Sequence, residues 1–339
     1  MVAGNRTEKH GPLRWLITGG CGFLGTSLIK NLIDEGGHII RVLDNLSTGT
    51  AKDLSTVCNF EMISDYSKLS NNGSVLQGCQ LITNDIRDLD ACKACSQNMD
   101  IIVHLAANTG VAPSVENPCL DMEVNVNGTV NMLEAARMNQ VKRFIFASSG
   151  APVGECSPPI HEELAPHPVS PYGASKLAGE GYCSAYHKTF GIMTVALRFG
   201  NVYGPGSGHK NSVVAKFIKR AIAGETLEIF GDGSQTRDFI YIDDLIQAIR
   251  LAENTANVGG EVFQIATNKE TTVDEMTSLL VPELKAAGLS GIKVVHGDKR
   301  LGDVMRNYSD TSKAREKLGW TAVYSLETGL NKTVAWFIN

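Results

Sequence analysis

The chain has 339 residues, long for one typical domain, and its 43% apolar content is enough for a sizeable core. With 36 acidic against 31 basic residues its formal charge is −5, which argues against a nucleic-acid partner, since phosphate binding needs a basic face. No apolar stretch approaches the roughly 20 residues of a membrane span, and residues 1–12 read as a polar arm without the apolar segment of a secretory signal.

Eight cysteines scattered along a chain of this length fit free thiols in a reducing cytoplasm better than a disulfide framework. Cys92 and Cys95 have the spacing of half a zinc or redox site. Without a second pair or a nearby ligating histidine they read as two incidental thiols on a surface helix, and no metal site is expected.

In chain order, residues 13–18 form a short apolar strand, 19–25 a glycine-rich turn, and a helix follows to about residue 34. Further strands are expected at 39–43 (ending on Asp44), 80–83, 100–105, 143–147 and 194–199, with helices at 88–97, 121–139 and 171–190. This alternation predicts parallel strands joined by right-handed helical crossovers, a doubly wound α/β fold. After Asn201 the texture changes to a glycine–proline loop (204–208), an amphipathic helix to about 223 and a short strand at 227–230. A helix at 243–253 and a strand at 261–266 return to the sheet, and helices near 273–287, 311–318 and 326–337 complete a smaller second lobe. The expected division is 13–198 with 239–267 for the first lobe and 199–238 with 268–339 for the second. The Ser- and Asn-rich stretch 47–78 carries no assignable pattern.

The turn Gly19-Gly20-Cys21-Gly22-Phe23-Leu24-Gly25 follows a strand and opens a helix. Gly19 permits the tight turn, Gly22 lets the backbone approach a pyrophosphate, and Gly25 lets helix and strand pack closely, while the helix start offers free N–H groups. Asp44, nineteen residues beyond Gly25, can accept from both ribose hydroxyls and would repel a 2′-phosphate, which favours NAD over NADP. Asp85-Ile86 ends the third predicted strand, where a carboxylate can reach the adenine. His104-Leu105-Ala106-Ala107 ends the fourth, where small residues let the backbone lie along the cofactor.

Tyr172 and Lys176 stand four apart at the start of a helix, so both side chains share one face. A phenol is a poor base at neutral pH, and an adjacent ammonium together with oxidised nicotinamide would lower its pKa. Tyr172 could then remove a hydroxyl proton while the same carbon gives up hydride, with Ser149, at the end of the fifth predicted strand, hydrogen-bonding that hydroxyl.

These segments, with Asp44-Asn45-Leu46-Ser47-Thr48-Gly49 and Leu197-Arg198-Phe199-Gly200-Asn201-Val202-Tyr203-Gly204-Pro205, resemble the extended short-chain dehydrogenase/reductase superfamily. The sequence is most similar to its nucleotide-sugar epimerases, in particular UDP-hexose 4-epimerases, from about residue 13 to 320. The resemblance implies a Rossmann domain with NAD contacts from Gly19, Gly22, Phe23, Leu24, Gly25, Asp44, Asn45, Ser47, Thr48, Gly49, Asp85, Ile86, Leu105, Ala106, Ala107, Asn125, Ala147, Tyr172, Lys176 and Phe199. It implies a nucleoside-diphosphate sugar between the lobes, held by Thr109, Ser149, Tyr172, Asn201, Val213, Leu227, Phe230, Arg237, Arg300 and Asp303. Arg237 and Arg300 would grip the diphosphate, Asp303 the ribose, and 227–230 would lie along the base; taken singly, each arginine reads first as a surface ion-pair residue. It also implies a homodimer in which helices 121–139 and 171–190 pair with their copies in a four-helix interface.

Related enzymes that dehydrate or decarboxylate the sugar carry Asp-Glu or Glu immediately after the catalytic Ser or Thr, whereas Ser149 is followed by Gly150-Ala151. That favours C4 epimerisation of a UDP-hexose, or of an N-acetylated or uronic derivative, through a transient 4-keto sugar with NAD regenerated each turnover. Val153, Gly200 and Asn307 stand where larger residues are usual and suggest a roomier pocket. His209 and Lys210 could meet a uronate carboxylate, although the Trp-Gly-Arg associated with uronate 4-epimerases is missing at 206–208. The competing readings are a 4,6-dehydratase, a 4-keto-sugar reductase and a non-catalytic NAD-sensing scaffold.

Overall fold

The computed structural model describes residues 11–69, 78–299 and 305–339. In chain order the strands are β1 (Arg14–Thr18), β2 (Ile39–Asp44), β3 (Phe60–Ile63), β4 (Cys79–Thr83), β5 (Ile101–His104), β6 (Arg143–Ser149), β7 (Met193–Phe199), β8 (Asn201–Tyr203), β9 (Leu227–Phe230), β10 (Thr236–Arg237), β11 (Phe239–Tyr241), β12 (Glu261–Ile265), β13 (Thr271–Thr272) and β14 (Val294–Gly297). The helices are α1 (Phe23–Glu35), α2 (Ala51–Ser55), α3 (Leu89–Ser96), α4 (Val111–Glu116), α5 (Pro118–Met122), α6 (Gly128–Met138), α7 (Pro171–Phe190), α8 (Val213–Ile222), α9 (Ile242–Asn254), α10 (Val273–Ala286) and α11 (Leu326–Ile338).

Eight strands pair in parallel in the order β12-β7-β6-β5-β1-β2-β4-β3. The chain leaves β1 toward β2 on one side and resumes on the other at β5, so the connections from these strands diverge and open a crevice at their carboxyl ends. The strands are near-continuous apolar runs because helices cover both faces of the sheet. Trp15 and Ile17 of β1 join a core with Leu28 and Ile29 of α1 and Leu245 and Ile249 of α9, while Leu16 faces the opposite core with Met132 of α6 and Cys183 of α7. The first core runs on through Phe217, Leu280 and Leu330 of α8, α10 and α11, so one apolar cluster joins the second lobe to the sheet.

The expected alternation is present, and the differences have local causes. β3 was hidden in the unassigned stretch; it is an edge strand of four residues whose side chains are half-buried or exposed, so it carries no apolar period. Phe199 closes β7 in the large sheet, and β11 pairs with β8 rather than joining that sheet. The helix expected at 121–139 is interrupted by a π-turn at Glu123–Asn127. Cys92 and Cys95 are fully buried rather than on a surface helix. The expected arm at 1–12 lies outside the described residues up to residue 10, as do Arg300 and Asp303. Among the described residues no helix is long and apolar enough to cross a membrane.

Helix α7 is set by its ends: the Ser170 hydroxyl accepts from Gly173 N, Pro171 occupies the first turn, and Gly191 ends the helix with a left-handed φ of 74°. Its Gly179 lies so close to the sheet that a Cβ there would overlap the ring of Phe146, itself fully buried. Gly179→Val should therefore cost about 2 kcal/mol or more through overpacking, read as a lowered urea midpoint.

Candidate active site

The glycine turn occupies the crevice between β1 and β5. Gly19 has φ 68°, and a Cβ on it would stand 2.8 Å from Ala106 N; a Cβ on Gly25 would overlap the backbone of Gly19 and Gly20. Gly22 caps α1 without a side-chain acceptor, so the N–H groups of Phe23 and Leu24 point into the crevice with the positive end of the helix dipole. Two loops lean on this turn. The Asp44 carboxylate accepts from Cys21 N (2.9 Å) and Leu46 N (2.8 Å), and the Gly49 backbone lies directly against the Cys21 carbonyl. Burial pushes the Asp44 carboxyl up against the pull of those two bonds. Its oxygens keep lone pairs for ribose hydroxyls, so acid, turn and uncapped helix start fit a dinucleotide.

Asn45, Ser47 and Asp85 make a side-chain brace at the rim: Asn45 Nδ2 donates to Asp85 Oδ2 at 2.9 Å, and Ser47 N to Asn45 Oδ1. Burial raises the Asp85 carboxyl, but the bonds from Arg87 and Asn45 outweigh it and hold it at about 2. Thr48 is exposed beside this brace. Ile86 is buried, and its carbonyl accepts from Asn131 Nδ2.

A directed hydrogen-bond chain, which the sequence did not suggest, lies beneath the crevice. Ala106 N donates to Thr18 Oγ1, Thr18 Oγ1 lies 2.8 Å from His104 Nδ1, His104 Nε2 lies 3.1 Å from Thr129 Oγ1, and Thr129 Oγ1 donates to the Asn125 carbonyl at 2.6 Å. Because that carbonyl can only accept, the chain assigns the ring proton to Nε2. Burial holds His104 neutral, with a pKa near 3. The Asn125 side chain exchanges bonds with the main chain of Asn108 and donates to Ser175 Oγ and Asp121. Asn125 thus ties the segment after β5, which carries Leu105, Ala106 and Ala107, to α7. Thr109 is exposed in the same loop, its hydroxyl turned back to Ala107 O.

Across the crevice, Lys176 Nζ is buried, donates to Ala147 O at 2.8 Å and sits 5.9 Å from the Tyr172 ring centre. Burial lowers Lys176 to about 8, with Asp121 and Glu180 opposing. Burial raises Tyr172 to about 12, a hydrogen bond from Ser149 opposing it. The lowering expected from Lys176 together with oxidised nicotinamide belongs to the cofactor-bound protein; in the chain by itself desolvation of the phenolate dominates. Phe199 lies half-buried at the end of β7. Behind these residues the buried Arg198–Glu180 pair forms a two-bond fork (2.8 and 2.7 Å), and Ser148 Oγ adds a third bond to Glu180.

In the second lobe a cavity of about 220 Å³ is lined by Asn201, Val213, Phe230 and Arg237 among others, with Lys216 Nζ 5.1 Å from the Phe230 ring centre. Leu227 is not there: it is fully buried at the start of β9, whereas Glu228, Ile229 and Phe230 line the cavity. The sequence also missed Asp238, fully buried beside Arg237, which accepts from Thr267 N, Thr267 Oγ1, Asn268 N and Ser309 N and so fixes the β10–β11 corner. Gly200 does not widen a sugar pocket, since a Cβ there would stand 3.1 Å from Asp238 O and 3.2 Å from Ala266 Cβ. Val153 is fully buried, and Asn307 N donates to Thr236 Oγ1. Gly150, in contrast, has open space around its Cβ position. His209 meets Asp53 at 3.1 Å, and Lys210 Nζ reaches Val202 O and lies 5.3 Å from the Phe23 ring centre, so this pair faces the glycine turn.

A dinucleotide cradle with a phenol and an ammonium across the crevice is the arrangement of the nicotinamide-dependent short-chain dehydrogenases. The chain belongs to the NAD dependent epimerase/dehydratase family, whose model matches residues 15–266, and its cofactor is NAD. It is 35% identical to the UDP-glucose 4-epimerase of Mycolicibacterium smegmatis over 96% of this chain and 99% of that one. The structure of the Thermotoga maritima UDP-glucose 4-epimerase with UDP-glucose matches with a TM-score of 0.82 and 34% identity, over 96% of this chain and 98% of that one. The UDP-N-acetylglucosamine 4-epimerase of Methanobrevibacter ruminantium, in complex with UDP-N-acetylmuramic acid, matches with a TM-score of 0.84 and 30% identity, over 97% and 99%.

Glu180 and Arg198 are each only 4% exposed, so removing one partner strands a buried charge. Arg198→Met should cost about 3–5 kcal/mol of unfolding free energy in urea titration.

Proposed function

We propose that this protein is an NAD-dependent 4-epimerase of a UDP-sugar, with Ser149, Tyr172 and Lys176 as its catalytic group. The observation that carries the reaction is the end of β6: Ser149 is followed by Gly150, which faces open space, and by Ala151, so this strand end brings no carboxylate to the sugar. Removing water from the sugar would need such an acid or base, whereas inverting one carbinol centre needs a reversible proton acceptor, a reversible hydride acceptor and a turn of the transient 4-keto sugar that presents its other face to the returning hydride. When bound, NAD supplies the hydride acceptor and a positive charge beside the phenol. Tyr172 Oη takes the proton of the C4 hydroxyl and later gives it back, Ser149 Oγ hydrogen-bonds the same oxygen, and Lys176 Nζ stabilises the phenolate. With the phenol held near 12 by its own surroundings, proton removal depends on the positive charges that gather around it.

The remaining NAD contacts are those named from the sequence. The second lobe, residues 199–238 and 268–339, holds the nucleotide: Asn201, Val213, Phe230 and Arg237 line its cavity, and the family resemblance assigns the remaining diphosphate and ribose contacts to Arg300 and Asp303, which lie outside the described residues. Relatives acting on UDP-glucose and UDP-N-acetylglucosamine support a UDP-sugar and leave the hexose or its N-acetylated or uronic form to experiment. A homodimer through α6 and α7 is supported by their exposed apolar side chains Met138, Tyr182 and Phe190. Eight free cysteines support a cytoplasmic protein.

Incubation with UDP-hexoses, UDP-N-acetylhexosamines and UDP-uronic acids should give C4 epimers on chromatography with no net change at 340 nm, and Tyr172→Phe should lower kcat by about a thousandfold. Accumulation of a 4-keto-6-deoxy sugar, or stoichiometric use of added NAD(H), would replace epimerisation by dehydration or net reduction. Full activity of Tyr172→Phe would remove the catalytic assignment. Sedimentation at micromolar concentration should give a dimer, and a monomer would rule out the helical interface.

A further inference from the structure

Residues 206–210 leave the second lobe and cross the start of α1. A Cβ on Gly206 would lie 3.3 Å from the Phe23 ring, at the first residue of the helix that meets the cofactor diphosphate. The segment is braced from behind by Lys219, whose Nζ donates to Gly208 O and Lys210 O, and by Ser207, whose hydroxyl donates to Gly204 O. At its outer end His209 Nε2 meets Asp53 Oδ2, the carboxylate that closes the capping box of α2. The loop leading to α2 itself lies on the glycine turn through Gly49 and Cys21. The turn is therefore flanked by two segments, and a side-chain contact between the lobes joins them.

Lys210 stands inside this ring. Its ammonium has a single protein acceptor, the Val202 carbonyl at 3.1 Å, and its chain crosses the face of Phe23. Among the described residues no carboxylate stands within ion-pair distance of it. The buried cations across the crevice have anionic neighbours: Arg198 has Glu180, and Lys176 has Asp121 and Glu180 in its field. An ammonium withdrawn from water with only a carbonyl for company leaves two of its three donors for an anion. The nearest designed place for an anion is the uncapped start of α1, where Phe23 begins.

We propose that Lys210 is a further cofactor-binding residue, its ammonium holding the NAD diphosphate from the side opposite the glycine turn, and that residues 206–210 form a strap latched by His209 and Asp53. Such a strap retains NAD between turnovers and gives the second lobe a direct hold on the cofactor. The proposal rests on the NAD site and not on the sugar reaction, so it can fail while epimerisation stands, and the reverse.

The test is binding, not turnover. The NAD dissociation constant of the full-length protein is measured by equilibrium dialysis, with UDP binding measured in parallel. Lys210→Met should weaken NAD by about tenfold or more and leave UDP affinity unchanged, while Lys210→Arg should bind NAD much as the parent does. His209→Ala should speed NAD release about threefold. Parent-like NAD affinity in Lys210→Met overturns the proposal, as does a loss of UDP affinity with NAD affinity kept, which would give Lys210 to the sugar nucleotide's diphosphate. A lowered melting temperature of cofactor-free Lys210→Met that Lys210→Arg does not restore would give it to packing. Release from His209→Ala at the parent rate removes the latch.

Discussion

The contact on which the rest of this structure depends is the approach of the Gly19 backbone to Ala106, where the turn after β1 meets the end of β5. Only a residue without a side chain, at positive φ, can bring the two strand ends this close. From that contact the remaining placements follow. Thr18 and His104, the last residues of the two strands, become neighbours and start the hydrogen-bond chain that ends at Asn125. Asn125 fixes the Asn108 loop and Ser175, so the position of α7, and of Tyr172 and Lys176 on it, is referred back to the turn itself. A sub-ångström change at Gly19 would therefore be felt on the opposite wall of the crevice.

The site is also held by buried charge, and in each case hydrogen bonds decide whether burial is tolerable. Asp238 receives four bonds and Asp44 two, all but one of them from main-chain N–H groups, which makes a carboxylate a joint between segments distant in sequence. Glu180 is shared by Arg198 and Ser148, two residues of neighbouring strands, and packs one helical turn beyond Lys176. Tyr172 has no such compensation beyond Ser149, and its phenol is pushed up. The base proposed for the reaction is thus a phenol whose ionisation its own surroundings do not favour.

The openness around Gly150 and the packing around Gly200 show why a small residue has no single meaning. At Gly150 the missing side chain leaves space beside Ser149. At Gly200 it admits the backbone of Asp238 and the methyl of Ala266. The first bears on which sugar chemistry is possible; the second joins the large sheet to the β8–β11 pair. His209 and Lys210 carry the same lesson for charge, since a loop that could have faced a substrate carboxylate instead crosses α1.

The doubly wound sheet and the glycine turn with Asp44 were legible in the chain's own residues, as were the places of Ser149 at a strand end and of Tyr172 and Lys176 on one helix. Each rests on local periodicity, on a conformation only glycine adopts, or on spacing along one strand or helix, and such features are written in consecutive residues. Tertiary structure decided the rest. Edge strand β3 lacks an apolar face, so its pairing with β4 is not legible in its residues. Whether Leu227 or Phe230 faced the cavity depended on how β9 met the core, and Asp238 mattered only once residues 267, 268 and 309 converged on it. His104 was legible as the end of a strand and not as a neutral relay, because its role needs Thr18 and Thr129 on either side. Pairings across dozens of residues carry no local signal, and they are what turned a recognisable set of motifs into a crevice with two walls.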